Sequence, residues 1–344
     1  MLLDGPLSSA DAARLASLLL TDMERETDPY ELSRQSSSLA ALAGQLKASD
    51  AVPLTYRLVD AMEKEINPDR LSRLSYSLAA LTRRLEPIES GRLAARGADR
   101  LGAAMERETN PDRLSHLGDS LTALAGRLEP AEAARLAERG AERLVTAIEK
   151  ETDADRLSRL SYSLAALAGR LQLADAAPLA GRGAERLAMA MEKETDASRL
   201  SRLSYSLAAL AWRLEPRAHQ TRLFTLSYLL RNAIPGPPHD GEEEGELRRL
   251  VAALLQPLSK EELSEVLKGP SCVGEAQKLV LSELEQKLSE EFKRPIAFGG
   301  DLGKFVEQAR SLGITNHATP ADRPRLEDVR KELADLRQAA ASKP

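Results

Sequence analysis

The chain has 344 residues, 42% of them hydrophobic but only 3% aromatic, so any core must be built from Leu, Ala, Val and Met. Its 48 Lys and Arg against 53 Asp and Glu leave a net charge of −5, without the basic excess that a nucleic-acid footprint shows. The single cysteine, Cys272, excludes an internal disulfide, no apolar run reaches the ~20 residues of a membrane span, and no signal-like segment follows Met1, so a cytoplasmic protein is expected.

Self-similarity dominates the sequence. The phrase RLSRLSYSLAALAGRL begins at Arg156 and recurs nearly unchanged from Arg70 and Arg199, with a looser copy from Arg113 and a worn one from Glu31. Aligning Leu32, Leu71, Leu114, Leu157 and Leu200 gives spacings of 39, 43, 43 and 43 residues. A period near 40 without strand patterning falls in the range of HEAT- and armadillo-like arrays. The expected fold is therefore all-α, an α-solenoid of about five two-helix units followed by a small helical module.

In each unit the first helix carries an inward stripe such as Ala137, Ala141, Leu144 and Ile148, spaced 4, 3 and 4. The quoted phrase is the second helix, with Leu157, Leu160, Leu164, Leu167 and Leu171 on one stripe. Between the two stand Asp28, Asn67, Asn110, Asp153 and Asp196, residues suited to cap a helix N-terminus, and Pro29, Pro68 and Pro111 follow at the first helical position. The first two units lack four residues of the first helix, about one turn, so the stripe stays in phase. Gly97, Gly140 and Gly183 recur inside the longer first helices, where glycine costs about 1 kcal/mol against alanine, and so mark close helix contact.

The array is expected over residues 1–234, with a more apolar closing helix around Leu223, Phe224 and Tyr228. Residues 235–246, PGPPHDGEEEGE, read as a linker, residues 247–314 as a helical C-terminal module, and residues 315–344 as a tail. Ser259 to Glu262 form a capping box, and helices follow over 275–293 and 302–311. In the tail Leu326, Val329, Leu333 and Leu336 share a stripe that either docks back or holds a partner.

No catalytic constellation emerges, and no cofactor is expected. His116, His219, His239 and His317 have no metal-ligand spacing, and FGGDLG at residues 298–303 fits neither a dinucleotide nor a phosphate loop. Glu149 and Glu151, like the glutamate pairs of other units, point about 200° apart on a helix and form no dyad. Cys272 precedes a helix start that would lower its pKa, yet has no histidine partner.

The recurring surface is the better candidate. Opposite the leucine stripe of the second helices lie Tyr76, Tyr162 and Tyr205 with Arg73, Arg159 and Arg202, residue types in which binding hot spots are enriched. The third unit substitutes His116 and Asp119 at these two positions, and the first has Arg34 and Ser37. Two readings stand for each: a partner-binding face, or tyrosines half-buried between neighbouring helices with arginines paired to neighbouring acids. Trp212 replaces the Gly126 and Gly169 of earlier copies and either covers the junction with the C-terminal module or anchors a partner.

The phrases AMEKET(D/N)P, LSYSLAALAGRLEP and AEAARLA resemble a family of tandem helical repeats in bacterial proteins that accompany signalling and effector domains such as protein kinases and trypsin-like proteases. The stretch EVLKGPSCVGEAQKLVLSELEQKLSEEFKRPIAF resembles the segment that closes such arrays. The resemblance spans most of residues 5–312 and implies a recognition or regulatory region with no catalytic residue. No kinase or protease sequence accompanies it here, and the first unit begins partway through, as in a stand-alone partner or a piece of something longer.

The expectation is a non-catalytic protein-binding scaffold or regulatory adaptor, whose partner, an effector protease or kinase for example, docks on the second-helix face. A nucleic-acid-binding repeat tracking phosphates with its arginines, and an enzyme built around Cys272, are the alternatives. Nothing in the residues sets the oligomeric state.

Overall fold

The computed structural model describes residues 8–214, 255, 258, 263, 266–267, 275–292, 295–297 and 326–341. The described residues are helical and contain no strand. Ten helices make five tandem pairs: α1 (Ser9–Arg25) with α2 (Pro29–Ala43), α3 (Ala48–Lys64) with α4 (Pro68–Thr82), α5 (Pro87–Arg107) with α6 (Pro111–Ala125), α7 (Pro130–Lys150) with α8 (Ala154–Ala168), and α9 (Leu173–Met191) with α10 (Ala197–Ala211). Two further helices are α11 (Glu275–Phe292) and α12 (Leu326–Ala341). The expected closing helix around Leu223, the linker at 235–246, the capping box at Ser259, Cys272 and the helix over 302–311 lie outside the described residues.

The capping residues act as their chemistry dictates. Asn67 Oδ1 accepts the backbone N–H of Asp69 at 2.9 Å and of Arg70 at 3.3 Å, and Asn110 repeats this with Asp112 and Arg113. Asp28, Asp153 and Asp196 cap their helices in the same way. The Arg156 N–H holds the Asp153 carboxyl below its ordinary range, with help from the Arg156 charge.

A second device completes each corner. Glu65 Oε1 accepts the N–H groups of Ile66 and Asn67 at 2.9 and 2.8 Å; Glu26, Glu108 and Glu194 do the same for the two residues that follow them. These four glutamates thus fasten the turns between paired helices, which is why the residue recurs. Arginines then tie corners together. Arg70 reaches the Met23 carbonyl at 3.2 Å, while Arg100 and Arg143 donate to the carbonyls of Glu65 and Glu108.

The protein forms two compact units. The first comprises Met1–Glu151 and Arg159–Leu179, the second Thr152–Ser158 and Ala180–Pro344. In the first unit the first helices α1, α3, α5 and α7 lie side by side in one row and the second helices α2, α4 and α6 in another, with α1, α3 and α5 each also touching its own pair mate. This neighbour-on-neighbour order is compatible with an α-solenoid. The stripes read from the sequence are the core: Ala137, Ala141, Leu144 and Ile148, and Leu157, Leu160, Leu164 and Leu167 are fully buried. Leu171, expected on that second stripe, lies in the turn beyond α8 and is half-buried.

The length difference between repeats also appears. α5 and α7 have 21 residues against 17 in α1 and α3, one turn more. The recurrent glycines sit where neighbours press closest. A Cβ on Gly140 would stand 2.8 Å from Leu121 Cδ2 and 3.0 Å from Leu167 Cδ1, and one on Gly97 would overlap Leu78.

Within the second compact unit, Leu203, Leu207 and Leu210 of α10 and Val280, Leu281, Leu284 and Leu288 of α11 are buried. In α12, Val329 and Leu333 are buried and Arg330 holds Glu192 at 2.9 Å. The tail helix therefore docks back on its own protein.

Candidate recognition groove on the second helices

The second helices are joined by serines. Ser72 and Ser120 share a hydrogen bond of 2.9 Å between hydroxyls, Ser163 donates to the Ser115 carbonyl at 3.2 Å, and in the second compact unit Ser158 and Ser206 meet at 2.7 Å. In each case a serine just after the first leucine of one helix meets a serine five positions further along the next helix. Small hydroxyl side chains let the helices approach and satisfy each other, so the constancy of the serines is a packing requirement.

The arginines are mostly joined across repeats as well. Arg159 reaches Asp112 at 2.5 Å, and Arg202 reaches Asp155 at 2.7 Å. His116 stands where the third repeat would have its arginine, and the acid it leaves, Asp69, is taken instead by Arg113 at 3.1 Å. In the second repeat of the array the partner is missing from the sequence: Tyr30 occupies the position held by Asp69, Asp112 and Asp155 in the next three copies. Among the described residues Arg73 makes no ion pair or hydrogen bond.

The tyrosines differ too. Tyr76 is 58% exposed, Tyr162 is 36% exposed and Tyr205 is half-buried. Trp212 follows directly on α10, stays 38% exposed, and carries the guanidinium of Arg213 3.5 Å from its ring centre. Phe224, its expected neighbour, lies outside the described residues.

Of the seven side chains expected to meet a partner, Arg73 and Tyr76 line a common cavity. It is a groove of about 350 Å³ formed by α2, α4 and α6. His116, Asp119 and the serines 33, 36, 37, 72 and 120 complete its walls with Ala123. The groove exists because the repeat is broken on both sides of Tyr76: Ser37 and Asp119 stand where a tyrosine would fill the space. Ser163 donates to Asp119 at 2.6 Å. Crowding by the groove walls pushes the Asp119 carboxyl up, against the pull of the Ser163 hydroxyl and the nearby His116, although one side of the residue faces solvent. Ser36 is 1% exposed, and its hydroxyl has no hydrogen-bond partner among the described residues.

In the sequence His116, Asp119 and Ser37 stand out as departures from the repeat, but not as the opening of a cavity, and Ser36 does not stand out at all. The departures themselves were the available signal. No cluster of metal-ligating side chains occurs among the described residues, and no described helix is long and apolar enough to cross a membrane.

No family model matches the sequence, and no curated protein matches it. Among solved structures it is similar to a protein from "Computational Design of Self-Assembling Cyclic Protein Homooligomers", at 11% identity over 96% of this protein and 98% of that one, with a TM-score of 0.12. At that score the likeness bears on neither fold nor function.

Proposed function

We propose that this protein is a non-catalytic protein-binding scaffold or regulatory adaptor that takes a segment of a protein partner against the second-helix face. The reading is supported by one observation above the others: the irregular residues of an otherwise near-identical array coincide at one groove, where Arg73 and Tyr76 stand open. A solenoid needs identical leucines to stack, and has no packing reason to exchange Tyr for Ser37 and Asp119 at the equivalent positions of the two units that flank Tyr76. Tyr and Arg are the residues that most often anchor an interface. A signalling or protease effector is the class of partner that the repeat resemblance implies.

A photo-crosslinking residue at position 76 tests this, with one at the exposed Ile88 as control. Crosslinks specific to position 76 in native extract, lost when Ser37→Tyr and Asp119→Tyr refill the groove, are the expected result. Equal crosslinking at both positions, or crosslinks indifferent to refilling, would overturn the proposal.

A further inference from the structure

We propose that the groove reads a carboxylate of the partner peptide, seated on the guanidinium of Arg73 with Tyr76 beside it. The inference rests on the groove being a peptide site. Its basis is a comparison the array makes with itself. Wherever this arginine recurs with an acid available one unit earlier, the pair forms: Arg159 with Asp112, and Arg202 with Asp155. The position is thus shaped to meet a carboxylate arriving from the neighbouring helix. At Arg73 that acid has become Tyr30, and the guanidinium faces a groove in place of a built-in counter-ion. A carboxylate from outside would restore the contact that the fold supplies to its siblings, and guanidinium and carboxylate meet with two parallel hydrogen bonds.

Two further features fit such a ligand. Ser36 is buried in the groove wall with an unused hydroxyl, a donor for a second carboxylate oxygen or for a peptide carbonyl. Asp119, the one acid in the lining, is engaged by the Ser163 hydroxyl, from which it accepts a hydrogen bond at 2.6 Å. It remains an acceptor for a backbone N–H next to the bound acid. A groove of about 350 Å³ accommodates one acidic side chain with its flanking backbone and not a folded domain.

The carboxylate could belong to an Asp or Glu side chain or to the free C-terminus of a polypeptide, and both present the same chemistry to Arg73. Affinity selection from two soluble random heptapeptide libraries, one with free and one with amidated C-termini, separates them on the intact 344-residue chain. Enrichment of Asp or Glu at one position in the amidated library points to a side chain; enrichment confined to the free-acid library points to the terminus. Either supports the proposal if the selected peptide binds Arg73→Gln about tenfold more weakly, the loss expected for a charge-assisted hydrogen bond. Arg73→Glu should reverse the preference toward Lys and Arg. Enriched peptides without an acid, still lost on refilling with Asp119→Tyr, would overturn carboxylate reading and leave the groove standing. No enrichment over the refilled variant would overturn both.

Discussion

The guanidinium of Arg202 meets the carboxylate of Asp155 at 2.7 Å, across 47 positions of sequence and one unit of the repeat. Both side chains stay open to solvent, as do Arg159 and Asp112 in the preceding unit. Exposed pairs of this kind contribute less than ~1 kcal/mol each and are screened by salt. Asp112→Asn should therefore lower the free energy of unfolding by well under ~1 kcal/mol, with a difference that fades at high salt. A denaturant titration at two salt concentrations checks it. These pairs act mainly by committing their arginines, which is what sets Arg73 apart.

Glu65 is a stronger contributor. Burial pushes its carboxyl up, but the Arg70 guanidinium together with the N–H groups of Asn67 and Ile66 outweighs burial and leaves it below the ordinary range. A depressed carboxyl lends stability above its unfolded pKa and loses it as pH falls through the folded value. Glu65→Gln should cost about 1–3 kcal/mol at neutral pH, since one charged acceptor serves two backbone donors and an arginine. The gap between the two proteins should close as pH is lowered past the ordinary glutamate range. Unfolding curves taken across that range would show it, and a gap independent of pH would contradict the assignment.

Asp119 has the opposite sign. Its carboxyl is raised, so the folded protein favours the neutral acid, and that contribution is present below the ordinary aspartate pKa and lost as pH rises through the folded one. Asp119→Asn removes the charge while keeping an oxygen to accept from Ser163. The variant should be more stable than the parent at neutral pH, and its advantage should vanish in acid. Thermal unfolding at matched pH values measures this directly.

Gly140 tests the packing of the first helices. Alanine would gain about 1 kcal/mol of helix propensity at an open site. Here its Cβ would meet Leu121 and Leu167 inside the core, and overpacking costs about 1–3 kcal/mol. Gly140→Ala should be neutral to destabilising by ~2 kcal/mol, whereas Gly91→Ala, whose Cβ has only the Arg127 carbonyl oxygen at 3.5 Å, should stabilise. Comparing the two melting temperatures separates close contact from chance recurrence.

The sequence by itself determined the helices, their pairing and their caps. Leu157, Leu160, Leu164 and Leu167 are buried because helical periodicity places them on one face, and Asn67 caps because its side chain is two and three residues from the donors it satisfies. Such relations are local, and a string of residues contains them. Glu65 shows the limit: as one of a pair of glutamates two residues apart it has no evident role, because its bonds form only where the backbone leaves the helix. The choice between a paired and an open arginine was further out of reach. It depends on the stagger of one unit against the next, which brings Arg159 to a residue 47 positions earlier and Arg113 to one 44 earlier. Only tertiary packing sets that stagger. It turned Tyr30, Ser37 and Asp119 from irregularities in a repeat into an unanswered charge and an open groove.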